Sequence, residues 1–132
     1  VLPGLNGCTV IDDSYNASPS SFRAAIDVLA SSSSKTVVVM GDMGELGNTA
    51  DSAHREVGEY ARQQSIDHFI AIGDLSRLAV EAFGDEGIFL QERNHFFDAI
   101  SPLLGNSTTV LIKGSRSQSM EQLVQQIMAD TV

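Results

Sequence analysis

The chain has 132 residues, of which 42% are hydrophobic and 19% are charged, a balance that excludes a disordered tail and fits one soluble globular domain. A net charge of −9 disfavours nucleic acid and anionic membranes as partners, and the single cysteine excludes an internal disulfide. No apolar run approaches the roughly 20 residues of a membrane span, so we expect a cytoplasmic protein without membrane insertion.

Short β-branched runs alternate with longer amphipathic segments along the chain. This alternation predicts an α/β fold: a Rossmann-like, three-layer domain in which helices flank a mainly parallel sheet of five or six strands. The predicted strands cover residues 8–11, 36–40, 68–72, 87–90 and 109–112. Because no repeat or linker interrupts the pattern, residues 1–132 are expected to form a single domain.

Five helices are predicted from apolar faces and capping signals. Ser18 before Pro19 is expected to cap the first, Asp74 the third, Asn94 the fourth, and Ser119 the last. The second is predicted over about 50–64, with His54 at a surface or half-buried position. The side chains predicted to face the core are Phe22, Ile26, Leu29, Ala53, Val57, Tyr60, Ala61, Leu75, Leu78, Ala79, Ala82, Phe96, Phe97, Ile100, Met120, Leu123, Val124 and Ile127.

The first candidate site follows the first strand, since ligands of parallel α/β sheets bind beyond the carboxyl ends of the strands. Asp12, Asp13, Tyr15 and Asn16 concentrate two carboxylates, a phenol and an amide between strand and helix. Either aspartate alone could simply hydrogen-bond the turn. The combination favours a site, because an ordinary crossover needs only a turn and a cap.

The second candidate is the glycine-rich segment 41–47, which follows a buried strand. It lacks the G-x-G-x-x-G spacing, so it does not indicate a dinucleotide site. Its carboxylates, Asp42 and Glu45, suit an ammonium group. The alternative is a solvated acidic loop without a ligand.

The third candidate follows the last strand, where Lys113, Ser115 and Arg116 cluster in a chain with only eight Lys and Arg residues. Two cations beside hydroxyl groups predict a site for a carboxylate or a phosphate. The alternative is a structural ion pair between Lys113 and Asp12 or Asp13. No residue is assigned as catalytic, and none as a metal ligand.

Together the three motifs, D-D-S-Y-N-A-x-P at 12–19, G-D-M-x-E-L-G at 41–47 and K-G-S-R at 113–116, resemble a known family. The family is that of the Mur ligases, and the resemblance is to the C-terminal domain of its members that use D-alanyl-D-alanine. It spans nearly the whole chain. Ser18 stands where the family pattern usually has Asn, and serine caps a helix equally well.

The resemblance implies a bacterial ligase of peptidoglycan synthesis with three domains, of which this chain is the third. Its N-terminal domain, which binds the UDP-sugar, and its central ATPase domain would be absent here. The complete enzyme would use ATP, Mg²⁺, UDP-N-acetylmuramoyl-tripeptide and D-alanyl-D-alanine. The chain has no G-x-x-x-x-G-K-[ST] phosphate loop, so we expect it alone to hold no ATP or metal and to be inactive.

The resemblance also implies roles for the motif residues. Four of them would face the ATP and the interdomain cleft: Asp12, Asp13, Tyr15 and Asn16. Six would line the dipeptide pocket: Asp42, Met43, Glu45, Lys113, Ser115 and Arg116. Within that pocket, a cation would pair with the dipeptide carboxylate or a phosphoryl oxygen, and a carboxylate would attract its ammonium group.

Two other interpretations remain open at this stage. A receiver-like phosphoacceptor domain also has an acidic pair after its first strand and a lysine after its last. A receiver domain requires a phosphorylated aspartate at the end of its third strand, but Asp74 at that place resembles a helix cap. It also has a proline after the lysine, and here that position is Gly114. The other is a stand-alone Rossmann-like module that binds a small metabolite.

Overall fold

The structure is a computed structural model that describes residues 1–15 and 17–129. Within these ranges six strands form one sheet in the order β1-β2-β6-β3-β4-β5. Their bounds are β1 Leu2–Pro3, β2 Thr9–Asp13, β3 Lys35–Gly41, β4 His68–Ile72, β5 Gly87–Leu90 and β6 Thr108–Lys113. The α-helices are α1 Pro19–Ala30, α2 Ala50–Gln63, α3 Ser76–Phe83, α4 Phe96–Ile100 and α5 Glu121–Ile127.

All neighbouring strands are parallel except β1 and β2, so the predicted mainly parallel sheet is confirmed. The prediction missed β1, an antiparallel edge strand of two residues that contains Pro3. A strand this short carries no periodicity, and an edge position tolerates a proline.

The sheet separates two hydrophobic clusters, which confirms the three-layer arrangement. Along β3, Val37 and Val39 face the layer that contains α4 and α5, whereas Val38 and Met40 face α1, α2 and α3. Both faces of the central strands are therefore buried, as expected for parallel strands covered by helices.

Ser18 caps α1 as predicted, with Pro19 as the first helical residue. Its hydroxyl accepts a hydrogen bond from the backbone N–H of Ser21 at 3.2 Å, and the Ser21 hydroxyl accepts one from Ser18 N–H at 2.9 Å. This reciprocal pair satisfies two otherwise free donors at the start of the helix.

The three other predicted caps are wrong. The helices α3, α4 and α5 begin after Leu75, His95 and Met120, and none of these positions makes a side-chain capping bond. Short 3₁₀ turns precede α4 and α5, so Asn94 lies inside such a turn and Ser119 adopts a left-handed conformation. The start of α3 is capped from a distant loop.

Most predicted core positions are confirmed. In the five-residue α4, Phe96 and Ile100 share the buried face, and Phe97 is exposed instead of buried. Phe83, which was not predicted, is buried in α3 together with Ala79. Four side chains predicted to face the core are only half-buried: Tyr60, Leu75, Leu78 and Ala82.

Candidate functional site

The three candidate loops meet because β6 lies between β2 and β3 in the sheet. Their parallel carboxyl ends point to the same edge, where the loops surround an open cleft of about 320 Å³, which we call the three-loop cleft. Its walls are Tyr15, Ala17, Gly44, Glu45, Ser115, Arg116 and Ser117. Four predicted site residues therefore come together here: Tyr15, Glu45, Ser115 and Arg116.

Two glycines allow the loops after β3 and β6 to approach closely. A Cβ atom on Gly41 would lie 2.6 Å from the sulfur of Met120, and one on Gly114 would lie 3.1 Å from the Cα of Gly41. Side chains at these positions would push the loops apart. The glycines at the ends of the two strands thus bring both cleft walls together.

Lys113 is the last residue of β6 and is buried. Its ammonium group is 2.7 Å from the Asp13 carboxylate and 5.4 Å from the centre of the Phe22 ring. The Lys113 side chain is 1% exposed, whereas that of Asp13 is 40% exposed. The geometry agrees with the structural ion pair that the sequence left open. Asp12 accepts a hydrogen bond from Ser14 N–H at 3.2 Å, so its carboxylate stabilises the local turn.

Asp42 joins separate parts of the fold. Its carboxylate accepts hydrogen bonds from the Ser76 N–H at 2.8 Å, the Ser76 hydroxyl at 2.6 Å and the Leu75 N–H at 3.4 Å. It therefore caps α3 in place of Asp74. Its backbone carbonyl accepts a bond from Ser115 N–H at 3.0 Å, which ties segment 41–47 to the loop after β6. These contacts give Asp42 a structural role.

Met43 points away from the cleft. Its side chain is 3% exposed and belongs to the cluster on the α1–α3 side of the sheet. Its N–H donates to Nε2 of His54 at 3.0 Å. His54 is completely buried, so the prediction of a surface or half-buried position is wrong. The sequence pattern could not indicate this, because His54 lies beside the apolar stripe of α2.

Glu45 and Arg116 give the cleft charges of both signs. The backbone turns at Glu45 with a φ of 61°, a left-handed conformation that is unusual for residues other than glycine. Arg116 lies at the start of a 3₁₀ turn after β6. Both side chains line the three-loop cleft. This arrangement can receive a molecule that carries an ammonium and a carboxylate, or an ammonium and a phosphoryl group.

Arg93 supports the turn that carries Arg116, although it belongs to none of the motifs. Its guanidinium donates to the carbonyl oxygens of Gln118 and Ser119, each at 2.8 Å. Gln118 in turn accepts a bond from Asp42 N–H at 3.3 Å. Only the three-dimensional arrangement reveals this support, since a lone arginine before a short helix has no sequence signal.

Asn16 lies outside the described residues. Within residues 1–15 and 17–129, no group of three or more His, Cys, Asp or Glu side chains is arranged to hold a metal ion. None of the helices in the same part of the chain is long and apolar enough to cross a membrane.

Known proteins resemble this chain in both sequence and structure. The family model described as Mur ligase, glutamate ligase domain, matches residues 1–116. The chain belongs to this family. The UDP-N-acetylmuramoyl-tripeptide–D-alanyl-D-alanine ligase of Escherichia coli (strain K12) is 36% identical over 117 residues, which cover 87% of this chain and 26% of that protein.

Two solved structures lead to the same Mur ligase assignment. MurF from Acinetobacter baumannii (crystal structure I) has a TM-score of 0.78 and 34% identity, over 89% of this chain and 26% of that chain. MurF ligase from Thermotoga maritima in complex with ADP has a TM-score of 0.78 and 26% identity, over 95% and 30%. The family resemblance predicted from the three motifs is confirmed, and the Mur ligase match decides against the receiver-like alternative.

Proposed function

We propose that this Mur ligase domain closes over ATP and the amine substrate in a bacterial ligase that adds D-alanyl-D-alanine to UDP-N-acetylmuramoyl-tripeptide. The observation that carries the proposal is that Glu45 and Arg116 line the same cleft, because the dipeptide is a zwitterion with an ammonium and a carboxylate. The curated relatives bear the name of this ligase.

The chain spans about a quarter of the length of the curated relatives that it matches. We therefore assign the UDP-sugar site and the ATPase site to other domains of the same polypeptide, which would be its principal partners. ATP as the energy source is supported by the ADP complex of the Thermotoga maritima relative. We place the triphosphate and Mg²⁺ mainly on the central domain, since this chain has no phosphate loop. The reaction would take place in the cytoplasm.

In the proposed reaction, ATP phosphorylates the carboxylate of the UDP-linked tripeptide. The free amine of D-alanyl-D-alanine then attacks the acyl phosphate through a tetrahedral intermediate, and phosphate leaves. This chemistry requires positioning and charge neutralisation more than a protein nucleophile. The domain would supply both when it closes over the reactants.

The cleft residues would divide this work. Arg116 would bind the dipeptide carboxylate or a phosphoryl oxygen, with Ser115 beside it, and Glu45 would attract the ammonium group. Asp12, Asp13, Tyr15 and Asn16 would face the ATP. We propose that the three other members of the predicted dipeptide set act by holding the loops, given their internal contacts: Asp42, Met43 and Lys113.

Phosphate release by the complete ligase tests the proposal. We expect release to require ATP, UDP-N-acetylmuramoyl-tripeptide and D-alanyl-D-alanine together, and the isolated 132-residue chain to give none. Single amino acids serve as control amines. Turnover that is independent of the dipeptide, or equally fast with a single amino acid, would contradict the assigned substrate.

A further inference from the structure

His54 connects α2 to segment 41–47 through both nitrogens of its ring. Nδ1 lies 2.6 Å from the carbonyl oxygen of Ala50, one turn earlier in the helix. Nε2 lies 3.0 Å from the backbone nitrogen of Met43, eleven positions away in the chain. The side chain is 0% exposed. A buried imidazole with two backbone partners therefore anchors the segment that carries Glu45.

The two partners define the tautomer. A carbonyl oxygen only accepts hydrogen bonds, so Nδ1 must carry the proton and donate it to Ala50. In the neutral ring Nε2 is then unprotonated, and it accepts the bond from Met43 N–H. Both nitrogens are satisfied in this form. A proton on Nε2 would face the Met43 N–H and break the anchor.

Met43 links His54 to the backbone turn at Glu45. Its side chain packs in the same buried cluster as Ala53 and Val57 of α2, so the residue is held through its side chain and its amide. Two residues later the backbone takes the left-handed turn at Glu45. Without the imidazole acceptor, the buried Met43 N–H would lose its hydrogen bond to His54. An unsatisfied buried donor destabilises this conformation, so segment 41–47 would shift.

We infer that His54, as the neutral Nδ1–H tautomer, is a positioning residue that sets the Glu45 carboxylate for the ammonium group of the incoming amine. The inference rests on the proposed ligase function. It assigns His54 to the site of the amine substrate and not to the ATP side. Loss of the Nε2 acceptor should therefore raise the KM for D-alanyl-D-alanine and leave the KM for ATP unchanged.

A matched pair of variants separates the acceptor from the bulk of the ring. The amide oxygen of glutamine in His54→Gln can reach the Nε2 position, whereas the shorter asparagine in His54→Asn reaches only the Nδ1 position. In the complete ligase we expect His54→Asn to raise the dipeptide KM about tenfold, the worth of one lost hydrogen bond. His54→Gln should stay within about threefold of the wild type, because most of that bond is retained.

Hydrogen exchange of the peptide that covers residues 41–47 gives a second measurement that needs no turnover. Exchange should be about tenfold faster in His54→Asn than in the wild type and close to the wild-type rate in His54→Gln. Equal exchange in all three proteins would overturn the inference, and so would faster exchange with an unchanged dipeptide KM. If the wild-type ligase shows no dipeptide-dependent turnover, the proposed function fails, and exchange still decides whether His54 holds the loop.

Imidazole nitrogen NMR on the wild-type protein covers the case in which the variants do not fold. The inference requires the signature of the neutral tautomer with the proton on Nδ1. A ring protonated on Nε2 would exclude the bond from Met43 and overturn the inference.

Discussion

The ammonium group of Lys113 lies 2.7 Å from the carboxylate of Asp13, one hundred positions away in the chain. The pair joins the ends of the parallel neighbours β2 and β6, where Asp13 and Lys113 are in register. Burial is unequal, because the lysine is enclosed and the aspartate reaches solvent. The pair therefore ties the ends of β2 and β6 together, and its two members should differ in their effect on stability.

Removal of the carboxylate should be more harmful than removal of the cation. Asp13→Ala takes an opposite charge from a buried ammonium group, and we expect a loss of about 2–3 kcal/mol in the free energy of unfolding. Lys113→Met should cost less, because it keeps the apolar stem and leaves a carboxylate that water can solvate. Urea denaturation of both variants measures the difference. A larger loss for Lys113→Met would contradict the expectation that an unpaired buried ammonium group costs more free energy than an unpaired, solvated carboxylate.

The cap of α3 offers a second test, and Asp74, two positions before the first helical residue Ser76, provides the control. Asp42→Ala removes three hydrogen bonds to Leu75 and Ser76 and should destabilise the domain by about 2 kcal/mol. Asp74→Ala, at the exposed position first expected to cap this helix, should stay within about 0.5 kcal/mol of the wild type. Equal losses in thermal or urea unfolding would contradict the distant cap.

Gly58 permits close packing of α2 against α3. A Cβ atom there would lie 2.0 Å from the carbonyl oxygen of Ala79, so Gly58→Ala must separate the two helices. We expect a loss of about 2–3 kcal/mol by overpacking, although alanine is the better helix former. Gly105→Ala is the matched control, because its nearest neighbour would be 3.9 Å away. A neutral or stabilising Gly58→Ala in denaturant titrations would mean that the helices can move apart freely.

Cys8 should react only slowly with thiol reagents in the folded protein, because it is buried. Burial raises the pKa of its thiol, and a backbone hydrogen bond offsets part of that rise. The unfolded chain loses this proton first as the pH rises, so the contribution of Cys8 to stability should fall above the ordinary pKa of a thiol. A thiol reagent should label the native chain at least about 100-fold more slowly than the denatured chain, with Cys8→Ala as the background. Rapid native labelling would disprove the burial.

The parts of the fold that depend on neighbouring residues in sequence could be predicted. Buried β-branched runs marked the parallel strands, and Ser18 before Pro19 marked the start of α1. The three candidate loops could be found because ligands bind at strand ends. Their meeting in one cleft depends on the insertion of β6 between β2 and β3, which no local pattern encodes.

Two of the errors, at Asp74 and His54, come from contacts between residues distant in sequence. Asp74 has the right type and position for a cap, yet Asp42, 34 positions before Ser76, provides it. His54 lies off the apolar stripe of α2 and is nevertheless buried by segment 41–47. Met43, which is predicted to line the dipeptide pocket, has its side chain in the buried cluster on the α1–α3 side of the sheet. Local periodicity contains no information about such pairings.

The most direct test of the account compares Arg116→Ala with Arg77→Ala in the complete ligase by D-alanyl-D-alanine-dependent phosphate release. Arg116 lines the three-loop cleft, whereas Arg77 lies in α3 with its guanidinium 4.5 Å from the Phe89 ring. We predict that Arg116→Ala lowers kcat/KM for the dipeptide at least about tenfold without lowering the unfolding midpoint, since it removes one charge-assisted contact. Arg77→Ala should keep wild-type kinetics. Unchanged kcat/KM in Arg116→Ala would contradict the central claim that the three-loop cleft binds the dipeptide through Arg116.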